Sequence, residues 1–312
     1  MAMHTVTTAI PSAISLKSVL WATDLSSYSG KALHHATEIA RHFGAKLYLM
    51  HVVSSLGFTM AGPDSTLYAC DAAIRDLRAL ERRLLVHGAI TGVDHEVIVS
   101  DGDVWDSIER TAAQKNIGLI VIGTHSRTGI ARLVLGSTAE QIYRNASCPV
   151  LTVGPNGPDH IRLADDDRPL PILFPTDFSD ESLSALPYAV SLAREQKTRL
   201  VLQHALHFRA ESLGRSRYTA NDVLRLRSQE KLRAFERLHS LASRSTAVNP
   251  LCMVQFGEAA DSILSSAERI TAKTIVLGLK PKPFADVVSH LAWSVASRVV
   301  SESCCSVLTV RA

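Results

Sequence analysis

The chain repeats itself once, and that repeat constrains its fold more than any other feature. Residues 17–53 laid on 170–206 without a gap, an offset of 153, match at 13 of 37 positions, from Leu20 with Leu173 to His51 with His204. The match resumes at an offset of 155, where DGDVWDSI (101–108) faces FGEAADSI (256–263) and GLIVIG (118–123) faces KTIVLG (273–278). It closes at 157, with CPVLTV (148–153) on CSVLTV (305–310). Such register across a whole half means a domain duplicated in tandem. The length agrees: 312 residues make two domains at roughly 150 residues each. The stretch 154–169, rich in Gly, Pro and Asp, reads as a linker. We expect domains at 1–155 and 168–312.

Within the first half, short apolar runs alternate with helical periodicity. Strands are expected at 18–23, 46–52, 93–99, 117–122 and 149–153, and helices at 27–43, 72–87, 103–115 and 136–145. Continuously apolar strands separated by helices imply a parallel sheet covered on both faces. The second half repeats the order, with a longer basic helix near 220–243. The expected fold class is α/β, two tandem doubly wound five-stranded parallel sheets.

Composition narrows the function. The formal net charge of +3 excludes a strongly basic nucleic-acid coat, and 5% aromatic residues leave little for stacking on single strands. The basic stretch 209–244 carries an apolar stripe of Leu224, Leu232, Phe235, Leu238 and Ala242, so its charges read as a helix's solvent face. Five scattered cysteines without a CxxC pair suggest reduced thiols, and the vicinal Cys304-Cys305 reads as packing. Residues 1–17 lack a signal-peptide pattern, and no apolar run reaches the ~20 residues of a membrane span. A cytoplasmic protein with no membrane or nucleic-acid partner is expected.

In open parallel sheets, ligands bind beyond the carboxyl ends of the strands, where the winding reverses. Asp24 follows the first strand. After Ile122 and Gly123 of the fourth comes Thr124-His125-Ser126-Arg127-Thr128-Gly129, and then Gly136-Ser137-Thr138 opens a helix. Glycine admits close backbone approach, and a helix amino end presents free N–H groups to phosphate. The alternative is a tight strand-to-helix connection capped by Ser137. Neither GxxxxGK[ST] nor GxGxxG after the first strand is present, and GxSxG is absent too.

The starts ATDLS and PTDFS, the LMHVV second strand, GTHSRTG and the CPVLTV ending together resemble the universal stress protein family, over nearly all of both halves. Its ATP-binding branch carries Gly-x2-Gly-x9-Gly-[Ser/Thr]. Gly123, Ser126 and Gly136-Ser137 fit that frame, with serine replacing the second glycine. At a positive φ the Ser126 Cβ would cost on the order of 1 kcal/mol; at a negative φ its hydroxyl would add a phosphate donor.

The resemblance implies a strand order of 3-2-1-4-5. It implies that Asp24 and Val52 lie near adenine and ribose, that Ile122 and Gly123 line the base side, and that Ser126, Gly136, Ser137 and Thr138 surround the phosphates. ATP, with Mg²⁺ held mostly by water and phosphate, is the implied ligand, and no catalytic residue is implied. His125 reads as part of the loop, while His51 and His204 read as equivalent fold positions. In the second half Asp177 and Gly278 remain, but Trp293-Ser294 face Gly136-Ser137 and the loop after Gly278 is longer, so a degenerate site is expected. The last strands of family members pair two domains, which implies intramolecular pairing through 150–153 and 307–310, with homodimerisation a further expectation. An ATP-binding regulator of stress response is the expected function. The alternatives are a slow ATP hydrolase or nucleotidyl transferase on the same loop, assisted by His125 or Arg127, and a protein-interaction module that binds no ATP. The protein partner is unknown.

Overall fold

Apolar residues on both faces of one strand need cover on both sides, and this requirement organises the chain. The computed structural model describes residues 16–26, 29–54, 63–124, 136–154, 170–207, 219–245, 248–280 and 295–311. The first half runs β1 (Ser18–Thr23), α1 (Ser29–Phe43), β2 (Lys46–Ser54), α2 (Pro63–Val86), β3 (His95–Gly102), α3 (Val104–Gln114), β4 (Leu119–Gly123), α4 (Ser137–Asn145) and β5 (Val150–Val153). The second runs β6 (Ile172–Pro175), α5 (Asp180–Ser184), α6 (Leu186–Glu195), β7 (Leu200–Leu206), α7 (Ala220–Arg244), β8 (Leu251–Phe256), α8 (Ala259–Arg269), β9 (Thr274–Leu279), α9 (Val295–Glu302) and β10 (Ser306–Arg311).

The ten strands among the described residues form one sheet, β3-β2-β1-β4-β5-β10-β9-β6-β7-β8. Each half, read from its outer edge inward, has the order 3-2-1-4-5 with parallel neighbours. The halves meet where β5 and β10 pair antiparallel: Thr152 opposite Val307, Leu151 opposite Leu308, Val150 opposite Thr309. Leu151 and Leu308 are the two copies of one repeat position, so a pseudo-two-fold axis passes between them. An apolar edge strand invites such pairing.

Side-chain alternation assigns the two faces. Val19 and Trp21 of β1, with Leu151 and Leu308 of the seam, pack under α1, α2, α6 and α7. Leu20, Val150 and Val307 pack on the other face, with Trp105 and Ile108 of α3, Ile142 of α4 and Val299 of α9. Each core draws on both halves, so the seam is interior. Burying a leucine side chain there contributes about 2 kcal/mol. On the helix-covered surface, His42 Nε2 of α1 and Glu195 Oε2 of α6 approach to 3.2 Å. Arg311 of β10 donates to the Arg144 carbonyl at the end of α4, where a cation complements the helix dipole.

Three of the departures from the expected boundaries have a clear physical cause. Helix α2 begins nine residues before the expected 72, because its early Leu67 and Tyr68 are 67% and 75% exposed and make no apolar stripe. Strand β3 starts at His95 rather than 93, since Val93 N–H bonds the Ile90 carbonyl in a turn. The counterpart of α1 splits into α5 and α6 at Ala185, where Pro187 lies in the first turn of α6 and has no N–H to continue a helix. The linker expected at 154–169 lies outside the described residues from 155 onward.

Candidate functional site

The sequence Thr-Asp-x-Ser-x-x-Ser follows the first strand of each half, and it builds the same turn twice. Thr23 Oγ1 accepts the Leu25 N–H at 2.9 Å and lies 2.8 Å from Ser29 Oγ. Ser29 donates its one hydroxyl proton to the Ser26 carbonyl at 2.7 Å, so Thr23 is the donor to Ser29. Thr176, Phe178, Ser182 and Ser179 reproduce these bonds at 2.9, 2.8 and 3.0 Å. The network holds Leu25 and Phe178 at φ 61° and 63°, a left-handed conformation rare for such side chains. His51 Nδ1 donates to the Thr23 carbonyl at 2.7 Å, and His204 does the same to Thr176. A neutral imidazole so bonded leaves Nε2 as an acceptor.

The two copies then diverge at one hydroxyl. Asp24 Oδ1 accepts the Ser26 N–H at 2.9 Å, but Ser26 Oγ is buried with no hydrogen-bond partner among the described residues. Its twin, Ser179 Oγ, donates to Asp177 Oδ1 at 2.6 Å and accepts the Ser182 N–H at 3.2 Å, capping α5. Burial pushes the Asp177 carboxyl up, and hydrogen bonds from Ser179 and Ser182 outweigh that push and hold it below its ordinary value.

Sheet register brings most of the expected residues to one edge. Ala22 is opposite Ile122 and Thr23 opposite His51, so Asp24, Val52, Ile122 and Gly123 stand at the carboxyl ends of the adjacent strands β1, β2 and β4. The winding reverses between β1 and β4. Gly136 returns to this edge, its N–H bonding the Thr124 carbonyl at 3.4 Å. It sits at φ −59°, ψ 139° and gives α4 no side-chain cap, while Ser137 and Thr138 are exposed in the first turn. Seven of the eight expected residues thus converge. Ser126, with His125 and Arg127, lies outside the described residues. The role of Thr124 in tying the returning chain to β4 was not expected, nor was the Thr23–Ser29 hydroxyl pair; the repeated Thr-Asp-x-Ser-x-x-Ser spacing is the signal for the latter.

At the matching edge of the second half, the start of α5 presses on β9. A Cβ built on Gly278 would lie 2.0 Å from the Glu181 carbonyl oxygen and 2.6 Å from Ser182 Cα, a space only glycine fits. Phe178 packs against His204 with ring centroids 4.6 Å apart and planes tilted by 41°, and the Arg237 guanidinium lies 3.9 Å from the Phe178 centroid. The residues facing Gly136-Ser137, Trp293-Ser294, lie outside the described residues. Among the described residues, no group of three or more His, Cys, Asp or Glu is placed to hold a metal, and no helix is long and apolar enough to cross a membrane.

Comparison with known proteins gives a consistent result. The profile of the universal stress protein family matches residues 15–154 and again 170–311. A universal stress protein of Methanocaldococcus jannaschii is 32% identical over 139 residues, 44% of this chain and 81% of that protein. One from Bacillus subtilis is 28% identical over 143 residues, 43% of this chain and 97% of that protein. In three dimensions, a universal stress protein from Archaeoglobus fulgidus superposes with a TM-score of 0.65 at 20% identity, covering 96% of this chain and 99% of that one.

Proposed function

The chain belongs to the universal stress protein family, with two such domains in tandem, and we propose that its N-terminal half binds an adenine nucleotide, ATP, and acts as a nucleotide-responsive regulator in stress response. One observation carries the reading: the amino end of α4 opens without a side-chain cap beside Thr124, at the strand edge where the winding reverses. Free N–H groups at a helix amino end, with its positive dipole, favour phosphate.

The residues present fit such a ligand. Ser137 and Thr138 would offer hydroxyls beside the α4 amides, and Gly136 would let the backbone approach a phosphate oxygen. Ser126 belongs to the same phosphate-binding set. Asp24 would accept from ribose or adenine, Val52 and Ile122 would pack against the base, and Gly123 would leave it room. The buried Ser26 hydroxyl beside Asp24, which has no partner among the described residues, supports a polar ligand here, because a buried hydroxyl without a partner costs about 1–3 kcal/mol. Bound ATP would supply its phosphate charge to the first turn of α4, and Mg²⁺ would be held mainly by phosphate and water.

The second half supports no equivalent site in this reading. Ser179 is taken up by Asp177 and α5, and Phe178, His204 and Arg237 pack on one another. Its role is then to complete the sheet through β10. Unfolding freshly purified protein and separating what it releases tests the proposal. We expect adenine nucleotide, or a melting shift on adding ATP; absence of both contradicts it. Multiple-turnover phosphate release would instead make the chain a hydrolase.

A further inference from the structure

Two adjacent cysteines sit in opposite environments immediately before the seam strand. Helix α9 ends at Glu302, and the chain passes through Ser303, Cys304 and Cys305 into β10. Cys304 is exposed, whereas Cys305 is 2% exposed within the core cluster that contains Val299 and Val307. Ser303 Oγ accepts the Cys305 N–H at 3.1 Å and lies 3.3 Å from Cys305 Sγ. The sequence favours packing over redox chemistry for this pair; the burial of Cys305 fits packing, whereas the exposure of Cys304 does not.

From this juxtaposition we propose that Cys304 and Cys305 are an oxidative modification site: Cys304 reacts with a hydroperoxide, and Cys305 then closes a vicinal disulfide. The Cys304 thiolate attacks the distal peroxide oxygen and the O–O bond breaks. The leaving alkoxide or hydroxide takes a proton and departs as alcohol or water, and Cys304 sulfur, oxidised by two electrons, becomes a sulfenic acid. Cys305 sulfur then attacks Cys304 sulfur. The S–O bond breaks, and the hydroxide leaves as water with the Cys305 proton. Two thiols and one hydroperoxide thus give a disulfide, one alcohol or water, and one further water.

The environments favour this division of labour. The hydrogen bond from Cys305 lowers the Cys304 thiol to about 6, against the opposing effect of burial, while the same bond and burial push Cys305 up. A thiolate is the reactive form. Adjacent Cα atoms about 3.8 Å apart are closer than the usual span of a disulfide, so the ring is strained and readily reduced by thiols. The repeat supplies an internal control: the first half has Ser147-Cys148 at this position, and burial pushes the Cys148 thiol up to about 11.

Trypsin isolates both cysteines in one peptide, 299–311, apart from Cys70, Cys148 and Cys252. The full chain is treated with hydrogen peroxide, its thiols are blocked with N-ethylmaleimide under denaturing conditions, and the peptides are weighed. We expect peptide 299–311 unblocked and two hydrogens lighter, restored by dithiothreitol, and formed on the order of tenfold faster than any oxidation at Cys148. Cys305→Ser should stop at a sulfenic acid trapped by dimedone at Cys304, and dimedone added to the unaltered chain should intercept the same intermediate. Cys304→Ser should leave Cys305 fully alkylated. Oxidation of Cys304 no faster than of Cys148, or a disulfide between chains in place of the internal one, overturns the proposal.

Discussion

Thr152 donates its side-chain hydroxyl to the Val307 carbonyl at 3.0 Å. Thr309 answers from the other half, donating to the Val150 carbonyl at 3.2 Å. The four residues are two copies of two repeat positions, exchanged across the axis between Leu151 and Leu308. The duplicated domains are therefore joined as a symmetric dimer would be, with both partners on one chain.

Thr152→Val and Thr309→Val each keep the side-chain shape and remove one buried hydrogen bond. Each should lower unfolding stability by about 1 kcal/mol in urea melts. Because the two bonds join the same pair of strands, with only the Leu151–Leu308 rung between them, the double variant should show coupling. Two neutral substitutions would mean that the seam does not depend on these hydroxyls.

Much of this architecture is legible in the residues, and the exceptions have physical causes. The β5–β10 seam is implied by the family resemblance, and the two apolar VLTV strands give it a physical reason. The start of α2 is not legible, because Leu67 and Tyr68 face solvent and leave no helical stripe. Nor is the difference between Ser26 and Ser179: both copies read Thr-Asp-x-Ser, and only the folded geometry shows Ser179 paired while Ser26 has no partner among the described residues.

That difference makes a paired test. Ser179→Ala should cost about 1 kcal/mol of stability through the lost helix cap and leave nucleotide binding intact. Ser26→Ala should raise unliganded stability by about 1 kcal/mol, because it removes a buried hydroxyl that has no partner among the described residues, and weaken ATP binding about fivefold, the value of one neutral hydrogen bond. Titration calorimetry beside thermal melts reads both effects. Equal behaviour of the two variants would contradict the assignment.

Stability should fall in mild acid because of His35. This α1 imidazole is 8% exposed, its Nε2 has no partner among the described residues, and burial lowers it to about 4, with His34 and Lys273 pushing the same way. Burial also lowers Lys273, against the opposing charge of Glu38. Below its ordinary value of 6.5, His35 binds a proton more readily in the unfolded chain than in the folded one. Its contribution is therefore complete above pH 6.5 and is lost as pH falls toward 4, amounting to about 3 kcal/mol. His35→Phe should flatten this limb of the stability profile. An unchanged limb would assign the acid sensitivity elsewhere.

Gly278→Ala tests the closed edge of the second half. Its methyl would meet the backbone of Glu181 and Ser182, which no side-chain rotation relieves. A loss of about 3 kcal/mol is expected in urea melts. A neutral substitution would mean that α5 can move away from β9.

The number of adenine nucleotides bound per chain tests the central claim most directly. Equilibrium dialysis with labelled ATP should give one per chain, and none for Gly136→Val. That variant suits the φ −59°, ψ 139° backbone but puts a branched side chain where phosphate would lie. Two nucleotides per chain, none at all, or one that survives Gly136→Val would contradict a single site in the N-terminal half.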